Sequence, residues 1–421
     1  MRRTALLAGV AATALLLTAC SSNDGGSTST ADKDMTAEIN YAFWDATQEA
    51  AIDTIIEEFN EEYPNITVKK DVTPYSEFFG KLQTQASSDT LPDVFWMNGP
   101  NFQLYASNDK LEPVTDAVDP ANYPQALNDL YSFDGTQYGV PKDYDTVAVF
   151  YNKALFDQAG VAYPTEGWTW DEFHEKAKAI SDALKADGVY GTVNGLSGGQ
   201  EVYYNTILQA GGEVISADST TSGYDSPEAI EGIQFVADLI ADGSAPTLQQ
   251  LSDTPQNVWF VNGKSAMFWS GTWSNAELRD SDIVDDIEVA PLPKNEQEAT
   301  VIHGLANVVA KSSKNKAAAQ AFQEFLASER AAVIQAEAGA ALPAFSGTQT
   351  AFIESAPYNL QVFLDEAENS SFPYPVSKNT AAWNQLENEL LPAAFSGERP
   401  VAEVAKELAE KMNEALAEEN E

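Results

Sequence analysis

The stretch INYAFWDATQEAAIDTIIEEFNEEYPNITV, residues 39–68, decides the fold. Ile39, Tyr41 and Phe43 alternate along the chain as the inward residues of a half-buried strand do, and Trp44-Asp45 falls at the strand's C-terminal end. Ile52, Ile55, Ile56, Phe59 and Tyr63 then recur at helical spacing. The spacing predicts a helix capped at Thr47 and stopped by Pro64. Ile66-Thr67-Val68 opens a second strand, so the unit is strand, helix, strand.

Working outward, the same alternation continues. A helix is expected around Phe78, Phe79 and Leu82, and a short strand over 92–96 that ends at Asn98-Gly99-Pro100. Residues 147–151 read as an apolar strand, and Thr169-Trp170-Asp171-Glu172 as a capping box opening a helix with Phe173, Ala177, Ile180 and Leu184 inward. Ser226-Pro227-Glu228 opens another helix with proline at its first position. A strand over 265–270 and helices near 318–326, 383–391 and 401–416 complete the pattern. Alternating strands and helices predict α/β lobes with mainly parallel sheets.

The N-terminus reads as a leader. Arg2 and Arg3 precede an apolar run over 5–17 that is shorter than the roughly 20 residues a membrane span requires. Leu17-Thr18-Ala19-Cys20 follows, with small residues before the sole cysteine of the chain. One cysteine can form no internal disulfide, so we expect a signal peptide over 1–19 and acylation of Cys20 by chains such as palmitate. Residues 20–36, rich in Ser, Thr and Gly after the cysteine, read as a flexible tether.

About 385 residues remain after the tether, enough for two domains of ordinary size. The full chain carries 23 Lys and Arg against 64 Asp and Glu, a formal charge of −41. Such a surface repels nucleic acid and anionic lipid, so neither is an expected partner. Only two histidines and one cysteine are present, which leaves no cluster of the ligand type that zinc capture requires.

In open α/β sheets, ligands sit beyond the carboxyl ends of the strands. That rule groups Trp44-Asp45, Trp96 with Asn98, and Trp269 with Trp273. A pyranose ring has an apolar C–H face that lies on an indole, and hydroxyls that need in-plane partners such as carboxylate or amide. Tryptophan beside carboxylate or amide at strand ends supplies both.

Together with Phe59-Asn60-Glu61-Glu62-Tyr63-Pro64-Asn65-Ile66 and Leu91-Pro92-Asp93-Val94-Phe95, the segment Phe43-Trp44-Asp45 resembles the opening of the family 1 extracellular solute-binding proteins, the group that includes maltose-binding protein. Tyr138-Gly139-Val140-Pro141-Lys142, Phe150-Tyr151-Asn152-Lys153 and Trp168-Thr169-Trp170-Asp171-Glu172-Phe173 follow in the family's order. So do Gly263-Lys264-Ser265-Ala266-Met267, Gly271-Thr272-Trp273 and the segment 339–343. The resemblance implies a two-lobed periplasmic-binding-protein-like fold with a three-segment hinge and a ligand cleft between the lobes. The crossings fall near 143–147, 301–306 and 341–346. The N-terminal lobe then holds 37–144 plus 304–342, and the C-terminal lobe 147–301 plus 346–421.

The resemblance also carries site residues. Trp44 and Asp45 match the ligand loop after the first strand, and Trp96 and Asn98 a loop that supplies aromatic and polar contacts. Asp143, Tyr144 and Asp145 lie in the first crossing, where the family places a carboxylate facing the sugar. Glu201 and Tyr203 fall in a contact-bearing stretch, and Trp273 matches a Gly-x-Trp stacking residue. Trp269, Trp383 and His303 are added by position. The implied role is the lipid-anchored receptor of an ABC-type sugar importer, a monomer that delivers an oligosaccharide to a permease and needs no cofactor or metal.

Other readings fit less of the chain. Gly195-Leu196-Ser197-Gly198-Gly199 matches the esterase elbow pattern with His303 downstream, but a glycine and a turn-forming asparagine interrupt the strand it requires. A glycoside hydrolase needs two carboxylates flanking a bond, and no motif marks such a pair. The same fold binding a polyamine or other small cation through Asp45, Asp143 and Asp145 is the remaining alternative.

Overall fold

The first sheet begins with β1 (Ala37–Phe43), flanked in parallel by β2 (Ile66–Val72) and β3 (Val94–Asn98). Residues of alternate parity serve its two faces. Ile39, Tyr41, Phe43, Val94 and Trp96 join one apolar cluster with the helices Glu49–Glu62 and Lys316–Leu326. Ala42, Phe95 and Met97 join another, with Tyr75–Ser87 and Gly99–Ser107. Both faces are covered, as a parallel sheet requires. The structure, a computed structural model, describes residues 32–196 and 198–419. The leader, Cys20, most of the tether and Ser197 lie outside the described residues.

The cap of the first helical segment is Asp45 rather than Thr47. Its carboxylate accepts from the Thr47 amide at 2.9 Å and starts a 3-10 turn, Ala46–Gln48, that runs into Glu49–Glu62. Asp45 is the last extended residue, which is where a capping side chain can reach the free amides of the first turn. The capping box at Thr169 and Glu172 forms as expected, the Thr169 amide donating to the Glu172 carboxylate at 2.8 Å. Ser226 caps Pro227–Ala241.

After the short β4 (Leu111–Glu112) and the hairpin of β5 (Ser132–Phe133) and β6 (Thr136–Gln137), β7 (Gly139–Asp145) leads to a second sheet. This contains β8 (Ala148–Asn152), β9 (Tyr190–Val193), β10 (Ser265–Ser270) and β11 (Ile287–Ala290), ordered β11-β8-β10-β9. Here β9 and β10 are parallel, but β8 is antiparallel to both β10 and β11. The expected mainly parallel arrangement therefore holds in the first sheet's opening strands and fails in the second sheet. Intervening segments as long as these can return the chain to either end of a sheet, so alternation with helices does not fix strand direction.

The chain returns on β12 (Thr300–Ala310), which lies antiparallel to β3 and β7, and β13 (Ser371–Pro373) pairs with its start. Three separate segments thus meet. Asp145 faces His303, Asp143 faces Leu305, and Asp143 also bridges to Pro343. The Tyr144 amide donates to the Leu342 carbonyl and the Ala344 amide to the Lys142 carbonyl, both at 3.1 Å. The second lobe closes with Thr380–Phe395 packed on Val401–Glu418. Among the described residues no helix is long and apolar enough to cross a membrane.

Candidate functional site

The strand ends of both sheets converge on the three-segment junction, and the side chains there form a continuous chain of contacts. On the first lobe, Trp44 stands half-buried at the end of β1, its ring 5.5 Å from Tyr75 and 5.1 Å from Phe78. Tyr75 opens the helix that follows β2. It is 57% exposed, yet the surrounding protein desolvates its phenol and pushes its pKa up. Asn98 caps Gly99–Ser107 by accepting from the Asn101 amide, and its side-chain amide lies 3.4 Å from the Tyr75 hydroxyl.

The floor is built from the junction. His303 is buried on β12, and its Nε2 accepts from the Gly99 amide at 3.2 Å, which assigns the proton of the neutral ring to Nδ1. Burial pulls its pKa down to about 4, so the imidazole is neutral at pH 7. Asp143 pairs with Lys142 at 2.5 Å and accepts from the Leu305 amide at 3.0 Å. Lys142 in turn lies 4.4 Å over the Trp96 ring and donates to Gln48 at 2.8 Å. Asp145 faces Thr272, whose hydroxyl donates to its carboxylate. Burial, with the nearby Asp143 charge, pushes the Asp145 carboxyl up to about 7.

The second lobe supplies Trp273 and Glu201. Trp273 follows β10 on a 3-10 turn and folds back over Gly271, where any Cβ would collide with the indole. Glu201 lies against Gly195 in the same manner, a Cβ there colliding with its carboxylate. Both glycines therefore act by leaving room for a neighbouring side chain. Gln256 donates to Glu201 at 3.3 Å. Burial raises the Glu201 carboxyl to about 7, against hydrogen bonds from Gln256 and Trp273 that lower it.

Several expected contacts are elsewhere. Trp96 sits within β3 with its ring fully buried, and its indole N–H donates to the Tyr41 hydroxyl at 2.6 Å. Trp269 is the fifth residue of β10, not a strand-end residue, and its ring packs at 5.6 Å on Phe173 in the second-lobe core. Trp383 is fully buried and donates to the Ser377 hydroxyl at 3.0 Å. The Tyr203 ring packs near Phe395, and its hydroxyl donates to Glu387 at 3.3 Å. None of these four has a free ring face for a sugar. Tyr144 is buried in an apolar cluster with Val140 and Ile302, and Asp45 spends both carboxylate oxygens on Thr47 and Gln48.

The structure brings Trp44, Asn98, Asp143, Asp145, Glu201, Trp273 and His303 to one region, and adds Tyr75 and Thr272. Half-buried indoles, a phenol, an amide and desolvated carboxylates thus line one polar, aromatic site in an α/β protein built on two main sheets. Residues 44–333 match the family of bacterial extracellular solute-binding proteins, and the chain belongs to that family. A protein of Brucella abortus is 25% identical over 279 residues, 64% of this chain, and the chain spans 66% of that relative's length. The diacetylchitobiose-binding protein DasA of Streptomyces coelicolor is 24% identical over 84% of this chain and 83% of its own. Among solved structures, an ABC substrate-binding protein from Listeria monocytogenes in complex with cycloalternan superposes with a TM-score of 0.85 at 27% identity, covering 91% of this chain and 100% of that one.

Proposed function

We propose that the protein is the extracytoplasmic receptor of an ABC-type importer, and that it captures an oligosaccharide between its lobes and releases it to a permease. The observation that carries this reading is the pairing of Trp273, seated over Gly271, with the desolvated carboxylates of Asp145 and Glu201. An indole face receives the C–H face of a sugar, and carboxylates accept from its hydroxyls. The ligands named for two relatives, cycloalternan and diacetylchitobiose, are of this chemical class.

On this reading the lobes are 37–144 plus 304–342 and 147–301 plus 346–421, and they close about the junction of β7, β12 and Pro343. Trp44, Tyr75 and Asn98 form one wall, Glu201 and Trp273 the other, and Asp143, Asp145 and His303 the floor. The protein works as a monomer held at the cell surface by lipid on Cys20, and it binds and releases its ligand without breaking a bond.

A thermal-shift screen against mono- and oligosaccharides tests the reading, because ligand at 100 times Kd stabilises the native state by about 2.7 kcal/mol. Stabilisation by one sugar series is the expected result. Melting that no sugar moves, together with stabilisation by a polyamine that fades with added salt, would replace the sugar with a small cation.

A further inference from the structure

Behind the second-lobe wall, one carboxylate is gripped from all sides. Glu387, on Thr380–Phe395, is 1% exposed. The hydroxyl of Tyr204 donates to it at 2.9 Å and that of Tyr203 at 3.3 Å, Tyr224 adds a third phenol, and the Asn384 amide donates at 2.9 Å. Its hydrogen-bond partners are all neutral, so the shell holds the carboxyl through hydrogen bonds and supplies no cation to offset its charge. A buried ionised group without a cation is costly to keep. Well-packed apolar residues often replace buried charged groups without loss of stability, so this arrangement is weak evidence for a stabilising role alone.

The grip leads to the cleft. Tyr204 lies 5.5 Å, edge to face, from the ring of Tyr374, and the Asn384 amide and Tyr204 hydroxyl stand beside the Tyr374 phenol. Tyr374 is held on its other side by the hinge strand: its amide donates to the Ile302 carbonyl at 3.1 Å, and its ring lies 4.9 Å from His303. His303 receives the Gly99 amide from the first lobe. The helix Thr380–Phe395 also touches Gly99–Ser107 directly.

We infer that Glu387 is a positioning residue of the ligand cleft, which through Tyr204 and Asn384 fixes Tyr374 against His303 and so sets the second-lobe wall against the hinge strand and the first lobe. Its consequence for affinity rests on the sugar-receptor reading; its effect on the ligand-free wall does not.

Glu387→Gln tests it, since the amide keeps the shape but turns one acceptor into a donor facing phenols. Tyr374→Phe and the double variant complete a cycle. In ligand-free protein we expect Glu387→Gln to melt within a few degrees of wild type while hydrogen exchange over 301–305 and 371–376 quickens about tenfold or more. Exchange there that matches wild type overturns the inference. Should Glu387→Gln fail to fold, Tyr204→Phe, which keeps the carboxylate and cuts the link, carries the same readout and the same two outcomes. With maltotriose, diacetylchitobiose and cycloalternan as probes, any sugar that binds wild type should bind Glu387→Gln about tenfold more weakly, with no further loss on adding Tyr374→Phe. Independent, additive losses would place Glu387 in general stability alone and overturn the inference. Absence of binding to the wild type counts against the sugar-receptor reading and leaves the exchange test standing.

Discussion

Thr272 donates its hydroxyl hydrogen to the carboxylate of Asp145, and this one contact joins the end of β10 in the second sheet to the end of β7 at the hinge. Thr272→Val keeps the shape and removes the donor. The Asp145 carboxyl, already near 7, should then rise further, because that hydrogen bond lowers it. Carboxyl carbon NMR across pH 5–9 would detect the change, and affinity should fall by about 1–2 kcal/mol, roughly 5- to 30-fold. An unmoved titration would mean that the contact does not form in solution.

Trp273 and Trp269 stand four residues apart and predict opposite outcomes. Trp273→Ala removes a half-buried platform and should cost about 2–4 kcal/mol in binding with melting close to wild type. Trp269→Ala empties a fully buried site and should cost about 3–5 kcal/mol of folding stability instead. Calorimetry and melting on the two variants separate a cleft residue from a core residue.

Asp145, Glu201, Glu366 and Glu387 are each pushed up to about 7 by burial. A carboxyl whose folded pKa exceeds its unfolded value holds an extra proton in the native state between the two values. Its contribution to stability is complete below the unfolded value, about 4 for Asp145 and about 4.5 for the glutamates, and is lost as pH rises through about 7. The melting temperature should therefore decline from pH 5 to pH 8. The phenols facing Glu387, those of Tyr203, Tyr204, Tyr224 and Tyr374, are raised and stay neutral throughout. Glu387→Gln should accordingly give a shallower decline, and a curve parallel to wild type would contradict the assignment.

Cys20→Ser should release the protein into the soluble fraction with sugar binding intact, since the first strand, β1, starts at Ala37 and no residue of the proposed site precedes Trp44. Fractionation after a salt wash reads the outcome, and retention at the membrane would remove the anchor.

Much of the fold was legible because its signals are local. Thr169, Glu172 and Ser226 cap the helices they were expected to cap, and Ile39, Tyr41 and Phe43 line one face as their alternation implies. Strand direction in the second sheet was not legible, since it depends on long connections rather than on any residue pattern. The site was half legible. The strand-end rule pointed to Trp44 and Trp273, but it missed Tyr75 because β2 runs to Val72, four residues beyond the apolar Ile66-Thr67-Val68 that marked it. Lys69, Lys70 and Asp71 sit on that strand through cross-strand and ionic contacts that composition hides. Trp96, Trp269 and Trp383 share their residue type with cleft aromatics, and only packing distinguishes them.

The distribution of indoles has an optical consequence. Of eight tryptophans, Trp96, Trp168, Trp170, Trp269 and Trp383 are buried and Trp259 is turned toward Tyr190, which leaves Trp44 and Trp273 at the cleft. If the proposed site holds, six of the eight rings stand away from the ligand and contribute a background that binding leaves unchanged. Binding would register as a small spectral difference from two emitters on opposite lobes. Replacing either with Phe would assign that difference to one wall, making the unmodified protein a two-channel reporter of its own occupancy.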